Sequence, residues 1–127
     1  AGVAAVIDPR RDVSIYLQKA RELGVKITHI LETHIHADFV SGSHELKART
    51  GAPIYGGKSD AYQFELHQLA EGDELHLGNV TLRAVHTPGH TPEHISFLVF
   101  DAKQGSEPFG IFTGDTLFNL DVGRPDL

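Results

Sequence analysis

A short polar stretch at residues 33–39 carries side chains that could bind a metal ion. It reads Thr-His-Ile-His-Ala-Asp-Phe, which places His34, His36 and Asp38 close together. On an extended chain His34 and His36 point to the same side, because strand side chains repeat with a period of two. Imidazole and carboxylate groups suit zinc and non-haem iron. The spacing therefore predicts part of a metal site; the alternative is an ordinary polar loop in a chain with nine histidines.

Two later segments supply the remaining ligands that such a site needs. His90 lies in a turn that Pro88 and Pro92 stiffen, and Asp115 follows Gly114 at the end of an apolar segment. Two or three imidazoles with one carboxylate are enough for a catalytic metal that keeps open coordination positions. The predicted metal ligands are therefore His34, His36, His90 and Asp115.

Histidines on either side of the His90 turn form a second group of interest. His86 and His94 are candidates for hydrogen-bond partners of the ligands, since such partners orient a metal-binding imidazole. The histidines farther away have no ligand nearby in the sequence and are expected at the surface; they are His44, His67 and His76.

The predicted elements explain why the distant ligands should meet. Residues 3–7, a helix from Asp12 that stops at Gly24, and residues 25–32 form a strand–helix–strand unit. A β-hairpin turns at Gly78 and Asn79. The remaining segments are a helix at 41–50, capped by Ser41 or Ser43, strands at 53–55, 95–100 and 109–113, and ambiguous helical turns at 58–69. Because α/β folds place ligand sites at the carboxyl ends of their strands, the predicted ligands should share one edge.

Composition restricts the class of protein. The chain has 127 residues, 40% of them hydrophobic, and is predicted to form a single α/β domain over residues 1–127. Its net charge of −6 and scattered basic residues argue against nucleic acid or an anionic membrane as a partner. No apolar run approaches a membrane span, and no signal peptide is recognised, so the cytoplasm is the expected location. The absence of cysteine excludes thiolate ligands and a cysteine nucleophile.

Taken together, these motifs resemble the metallo-β-lactamase superfamily, whose signature is His-x-His-x-Asp-His followed by a distant Gly-His and Gly-Asp. The resemblance rests on residues 7–9, 33–38, 87–91 and 113–115 and covers essentially the whole chain. It implies an αββα sandwich with a metal site between the sheet edges. One position departs from the signature: Phe39 stands where dinuclear members have the last histidine. A phenyl ring cannot bind a metal, so a mononuclear site is expected.

Residues 32–42 and 122–126 are most similar to persulfide dioxygenases, in particular the bacterial forms often fused to rhodanese domains. This resemblance implies one Fe²⁺ bound by His34, His90 and Asp115, with His36 adjacent to the iron or bound directly to zinc. The implied reaction oxidises a small-molecule persulfide, glutathione persulfide in the first place, with O₂ to sulfite. Asp38 would accept a hydrogen bond at the site as a catalytic residue. Arg124 and Thr91 would contact the substrate.

Two other functions stay open. The first is a zinc-dependent thioester hydrolase of the glyoxalase II type, in which a metal-activated water attacks a glutathione thioester. Phe39 counts against it, because those enzymes usually hold two metals. The second is a metal-binding fragment without turnover. The chain lacks the N-terminal hairpin and the C-terminal portion of full family members, so we expect it to form a homodimer or to be part of a larger protein.

Overall fold

The computed structural model describes residues 2–36, 38 and 40–125. A parallel strand–helix–strand unit begins the chain, as the sequence predicted: β1 (Val3–Ile7), α1 (Ser14–Leu23) and β2 (Lys26–Leu31). Gly24 ends α1 in the left-handed conformation, with φ of 64°, which glycine adopts without the steric cost of a side chain. The polar motif starts directly after β2. The unit therefore brings residues 33–36 to the carboxyl edge of the first sheet.

The first sheet is parallel throughout and has the strand order β1-β2-β3-β4. Helix α2 (Ser43–Thr50) leads from the motif into β3 (Ile54–Gly57), and β4 (His67–Leu69) completes the sheet. Both helices contact β2. Their shared core contains Val13, Ile27, Ile30, Leu46, Ala52 and Ile54.

The second sheet is antiparallel and has the order β5-β6-β7-β8. Its strands are β5 (Glu74–Leu77), β6 (Val80–His86), β7 (Ile95–Asp101) and β8 (Gly110–Phe112). The hairpin between β5 and β6 turns at Gly78 and Asn79 as predicted, with Leu77 opposite Val80. A small hairpin follows, formed by β9 (Leu117–Phe118) and β10 (Asp121–Val122).

The two sheets pack face to face over the larger core. Its buried side chains come from both sheets: Leu31, Leu69, Leu75, Leu82, Ala84, Ile95, Phe97 and Val99. In the described part of the chain, no helix covers the outer face of the second sheet. The molecule thus has the helix, sheet and sheet layers of the expected αββα sandwich, which confirms the fold class and its partial extent.

Three local predictions were wrong. Val13, not Asp12, is the N-cap of α1. The Asp12 carboxylate, one residue before the cap, accepts the Ser14 backbone N–H. Gly42 is the N-cap of α2; the Ser41 hydroxyl, one residue earlier, accepts the Ser43 backbone N–H, and both serine hydroxyls donate to Glu32. The segment 58–69 ends in strand β4 and contains no helix. Among the described residues, neither helix is long and apolar enough to cross a membrane.

Apolar side chains are exposed along residues 109–122, as expected for an incompletely covered sheet. The large ones are Phe109, Ile111, Phe112, Leu117, Phe118, Leu120 and Val122. An exposed group of this kind often marks a contact surface.

Phe97 is the largest side chain with no exposed surface, and it lies in β7 between the sheets. We expect Phe97→Ala to lower the free energy of unfolding by about 3–5 kcal/mol, because the substitution leaves a cavity in a close-packed core. Phe109→Ala, at a side chain that is 54% exposed, is the matched control and should change stability much less. Urea denaturation followed by circular dichroism measures both; equal losses would contradict the placement of the core.

Candidate metal centre

Three side chains from separate strand ends converge at one point. His34 follows β2, His90 lies in the loop after β6, and Asp115 follows β8. Their ligand atoms lie within 4.8 Å of one another. Asp115 Oδ2 is 3.7 Å from both His34 Nε2 and His90 Nε2. The His34 side chain is 2% exposed and that of Asp115 is 41% exposed, so the group opens to solvent on the carboxylate side.

A hydrogen-bond chain orients His34. The Thr33 hydroxyl donates to Asp8 Oδ2 over 2.8 Å and lies 2.8 Å from His34 Nδ1. Since that hydroxyl has one hydrogen, its oxygen must accept from the Nδ1–H of His34. The lone pair of His34 is therefore on Nε2, which faces Asp115 and His90. Burial, together with the charge of His36, lowers the pKa of His34 and favours this neutral ring.

A backbone carbonyl orients His90. His90 Nδ1 lies 2.9 Å from the Arg124 carbonyl oxygen. A carbonyl can only accept, so Nδ1 carries a hydrogen, and Nε2 is the ring nitrogen left to face Asp115. The carbonyl reaches His90 because Gly123 packs directly against the Asp115 backbone, where a Cβ atom would overlap the Asp115 carbonyl oxygen.

The donor set fits a metal ion. Two imidazoles present their Nε2 atoms toward one carboxylate, and each imidazole donates its other N–H to a fixed acceptor. This is the usual arrangement of metal-binding histidines and their outer partners. Two histidines and one carboxylate with open positions are the ligand set of non-haem iron oxygenases, and zinc accepts the same atoms.

His94 contacts two members of this group. Its Nε2 accepts the Asp115 backbone N–H over 3.2 Å, and its ring stacks on that of His34 with 5.0 Å between centroids. Its Nδ1 lies 3.0 Å from Thr116 Oγ1 and 2.9 Å from Thr87 Oγ1. Burial lowers the pKa of His94 to about 4, so that the ring is neutral.

His36 belongs to a different group. Its Nε2 lies 3.2 Å from Asp8 Oδ1 and 3.2 Å from Glu32 Oε2. Burial opposes a charge on His36, but hydrogen bonds to the two carboxylates outweigh it and raise the pKa to about 9. Burial likewise opposes the charge of Asp8, whose pKa is nevertheless lowered by hydrogen bonds from His36 and Thr33. Asp8, His34 and His36 thus form a second group whose ligand atoms lie within 4.8 Å of one another and which could also hold a metal, and His34 is shared by the two groups.

Direct metal binding by His36 can be tested by substitution. We expect His36→Ala to lower the free energy of unfolding by about 3–5 kcal/mol, because it leaves Asp8 and Glu32 buried without their shared partner. The metal content of the folded variant should nevertheless match that of the wild type, as measured by elemental analysis. His86→Ala, at an exposed histidine, is the control. Loss of metal from a folded His36→Ala protein would instead make His36 a ligand.

The remaining predicted site residues are not brought into the ligand group. Asp38 is exposed and belongs to neither metal-binding group among the described residues. The Thr91 hydroxyl is buried without a hydrogen-bond partner in the described part of the chain. Arg124 contributes its carbonyl, while its predicted side-chain role stays a prediction. Phe39 and Asp126 lie outside the described residues.

Sequence reasoning gave no role to Asp8 and Thr33, although both orient the site. The position of Asp8 could have indicated this role. Asp8 follows β1 as the motif follows β2, and neighbouring parallel strands end at the same edge of the sheet. His94 was a candidate and lies at the site, whereas His86 is exposed. The Arg124 carbonyl gives no sequence signal, because every residue has one.

A cavity of about 400 Å³ opens beside His34 and His36. Its walls combine polar groups near the histidines with apolar side chains from the segment before β4. They include Glu32, Ser41, Val40, Tyr62 and Phe64. Volumes of this size are typical of small-molecule sites.

The fold and the ligand positions together define the class. The chain belongs to the metallo-β-lactamase superfamily, whose sequence profile matches residues 2–127.

Individual relatives agree on the family and differ in name. A hydroxyacylglutathione hydrolase of Rhodospirillum rubrum is 40% identical over 97% of this chain and 46% of its own length. The crystal structure of a metallo-beta-lactamase from Staphylococcus aureus subsp. aureus COL is 47% identical, with a TM-score of 0.91, over 100% of this chain and 40% of that one. The structure of ETHE1 from Myxococcus xanthus is 34% identical, with a TM-score of 0.86. The match covers 100% of this chain and 53% of that one. The chain thus spans about half the length of the curated relatives that it matches.

Proposed function

We propose that the protein is a mononuclear persulfide dioxygenase. The observation that carries the proposal is the convergence of three possible ligands, His34, His90 and Asp115; the proposal leaves His36, which pairs with Asp8 and Glu32, outside the ligand set. The resemblance of residues 32–42 to persulfide dioxygenases supports the same reaction. In that reaction one O₂ and one water convert the outer sulfur of glutathione persulfide to sulfite and release glutathione. Bound Fe²⁺ would supply the electron chemistry that activates O₂.

The residues of this chain would position the reactants. His34 and His90 keep their Nε2 atoms on one side because Thr33 and the Arg124 carbonyl bind the opposite nitrogens. The neighbouring cavity would receive the persulfide and reduce its contact with water. Asp38 as a hydrogen-bond acceptor, and Thr91 and Arg124 as substrate contacts, remain parts of the proposal.

A glutathione thioester hydrolase is the second candidate. The observation that favours it is the 40% identity to the hydroxyacylglutathione hydrolase of Rhodospirillum rubrum. The same ligands would then bind zinc, which lowers the pKa of a coordinated water to produce a nucleophile at neutral pH. A metal-binding role without turnover is the outcome if neither substrate reacts.

One series of assays distinguishes the two candidate functions. The protein is purified without oxygen, analysed for metal, and given glutathione persulfide and a hydroxyacyl thioester of glutathione in turn. We expect iron, O₂ uptake with the persulfide, and sulfite as product. Zinc with thioester cleavage and no O₂ uptake would establish the hydrolase, and no turnover with either substrate would overturn both.

Further partners belong to the proposal as well. A homodimer, or attachment to a larger chain with a rhodanese domain, would cover the exposed apolar side chains of residues 109–122. Analytical ultracentrifugation of the purified protein tests the first: a monodisperse monomer would exclude the dimer.

A further inference from the structure

The His94 side chain joins two metal-ligand positions that come from different sheets. It is 1% exposed and precedes β7, which follows the His90 turn. One face of its ring lies on His34, after β2, with an angle of 18° between the ring planes. Its Nε2 accepts the backbone N–H of Asp115, after β8. The contacts of this one side chain thus connect His34 to Asp115.

The direction of the hydrogen bonds defines how the His94 ring is fixed. The Asp115 N–H can only donate, so Nε2 of His94 has the lone pair and Nδ1 has the hydrogen. Thr116 Oγ1 donates to the Thr87 carbonyl over 3.2 Å, so its oxygen can accept that Nδ1–H over 3.0 Å. The Thr87 hydroxyl lies beside it, 2.9 Å from Nδ1. Both ring nitrogens therefore have a partner. In the other tautomer of His94, the Nε2–H would face the backbone N–H of Asp115, and the two hydrogens would collide.

Gly114 makes the close approach possible. Its φ is 50°, and a Cβ atom there would lie 2.7 Å from His94 Nε2 and 2.5 Å from Thr33 Oγ1. The backbone thus reaches His94 because residue 114 has no side chain. His94 thus lies against the backbone at Gly114, the residue that directly precedes Asp115.

We infer that His94 is a positioning residue for the metal centre: by accepting the Asp115 backbone N–H, it fixes the direction in which Asp115 presents its carboxylate. This inference rests on the proposed metal site and goes beyond it, because His94 itself is not one of the ligands. The alternative role is space filling in the core. The two roles differ in one respect, since a space-filling ring needs no hydrogen-bond acceptor at the Nε2 position.

Two substitutions separate these roles, with Co²⁺ as the probe. His94→Phe keeps a ring against His34 and removes the acceptor, whereas His94→Gln keeps an acceptor near the Nε2 position and removes the ring. We expect His94→Phe to weaken Co²⁺ binding roughly 10–100-fold, which is typical of outer partners of metal ligands, and to change the visible absorption spectrum of bound Co²⁺. His94→Gln should recover most of the affinity and the wild-type spectrum.

The outcomes are distinct from those that test the proposed function. If wild-type protein binds no Co²⁺, the metal site and this inference both fail. If wild type binds and His94→Phe has the same affinity and spectrum, only the role of His94 is wrong; equal losses in both variants would also overturn it. The double substitution Thr87→Val and Thr116→Val, which removes both hydroxyls that lie beside the His94 Nδ1–H, provides a second test if His94→Phe does not fold. It should alter the Co²⁺ spectrum in the same direction, and a wild-type spectrum would contradict the inference.

Discussion

Asp115→Ala is expected to abolish stable metal binding while the protein remains folded. Asp115 is the one carboxylate in the ligand group, and its Oδ2 lies 3.7 Å from the Nε2 atoms of both His34 and His90. Removing it leaves two imidazoles and no anionic ligand. The loss of affinity should exceed the roughly 10–100-fold that follows loss of an outer partner. The side chain is 41% exposed, so its removal leaves no buried cavity.

Elemental analysis after dialysis measures this effect, and thermal unfolding verifies that the variant is folded. Asp121→Ala is the matched control: this aspartate is exposed in β10 and lies outside the ligand group. It should retain the full metal content. If Asp115→Ala kept wild-type metal content, the three-ligand site would be wrong.

Gly123→Ala should produce the next largest loss, although residue 123 offers no ligand atom. A Cβ there would overlap the Asp115 carbonyl oxygen and lie 3.0 Å from His90 Cβ. The backbone must shift to make room, and the Arg124 carbonyl then moves away from His90 Nδ1. We expect metal affinity to fall roughly 10–100-fold, as for other outer partners of metal ligands. Overpacking should also lower the free energy of unfolding by about 1–3 kcal/mol.

Gly110→Ala is the control for Gly123→Ala, because a Cβ at Gly110 has no atom within 4 Å. Titration with Co²⁺ and urea denaturation give the two quantities for both variants. Unchanged affinity in Gly123→Ala would mean that the loop adapts without moving the Arg124 carbonyl, and would remove the proposed role of that carbonyl.

Much of the ligand group could be predicted, because its members follow strands that the apolar pattern marks clearly. His34 and Asp115 each come directly after such a strand, and the carboxyl ends of strands are where α/β folds place ligands. The His-x-His spacing suggested equally that His36 would be a ligand. In the structure its ring pairs with Asp8 and Glu32, contacts that the His-x-His spacing does not indicate, and direct metal binding by His36 stays a prediction.

Other features depend on tertiary contacts that leave no local pattern. Strand β4 has three residues and is identified by its pairing with β3. Ser41 and Ser43 have the residue type of helix caps, yet Gly42 is the N-cap and both hydroxyls donate to the buried Glu32. The orientation of His90 depends on a backbone carbonyl 34 residues away. Composition and periodicity report burial and element type, whereas these contacts depend on how the elements pack.

The number of metal ions bound per chain decides whether the site is mononuclear. The protein is prepared without oxygen, saturated with Fe²⁺ or Zn²⁺, freed of excess metal, and analysed for metal against protein concentration. A site built from His34, His90 and Asp115, with His36 paired to Asp8 and Glu32, predicts one ion per chain with either metal. Two ions per chain would contradict the account, because the second could bind only if His36 or the 37–39 segment supplied ligands.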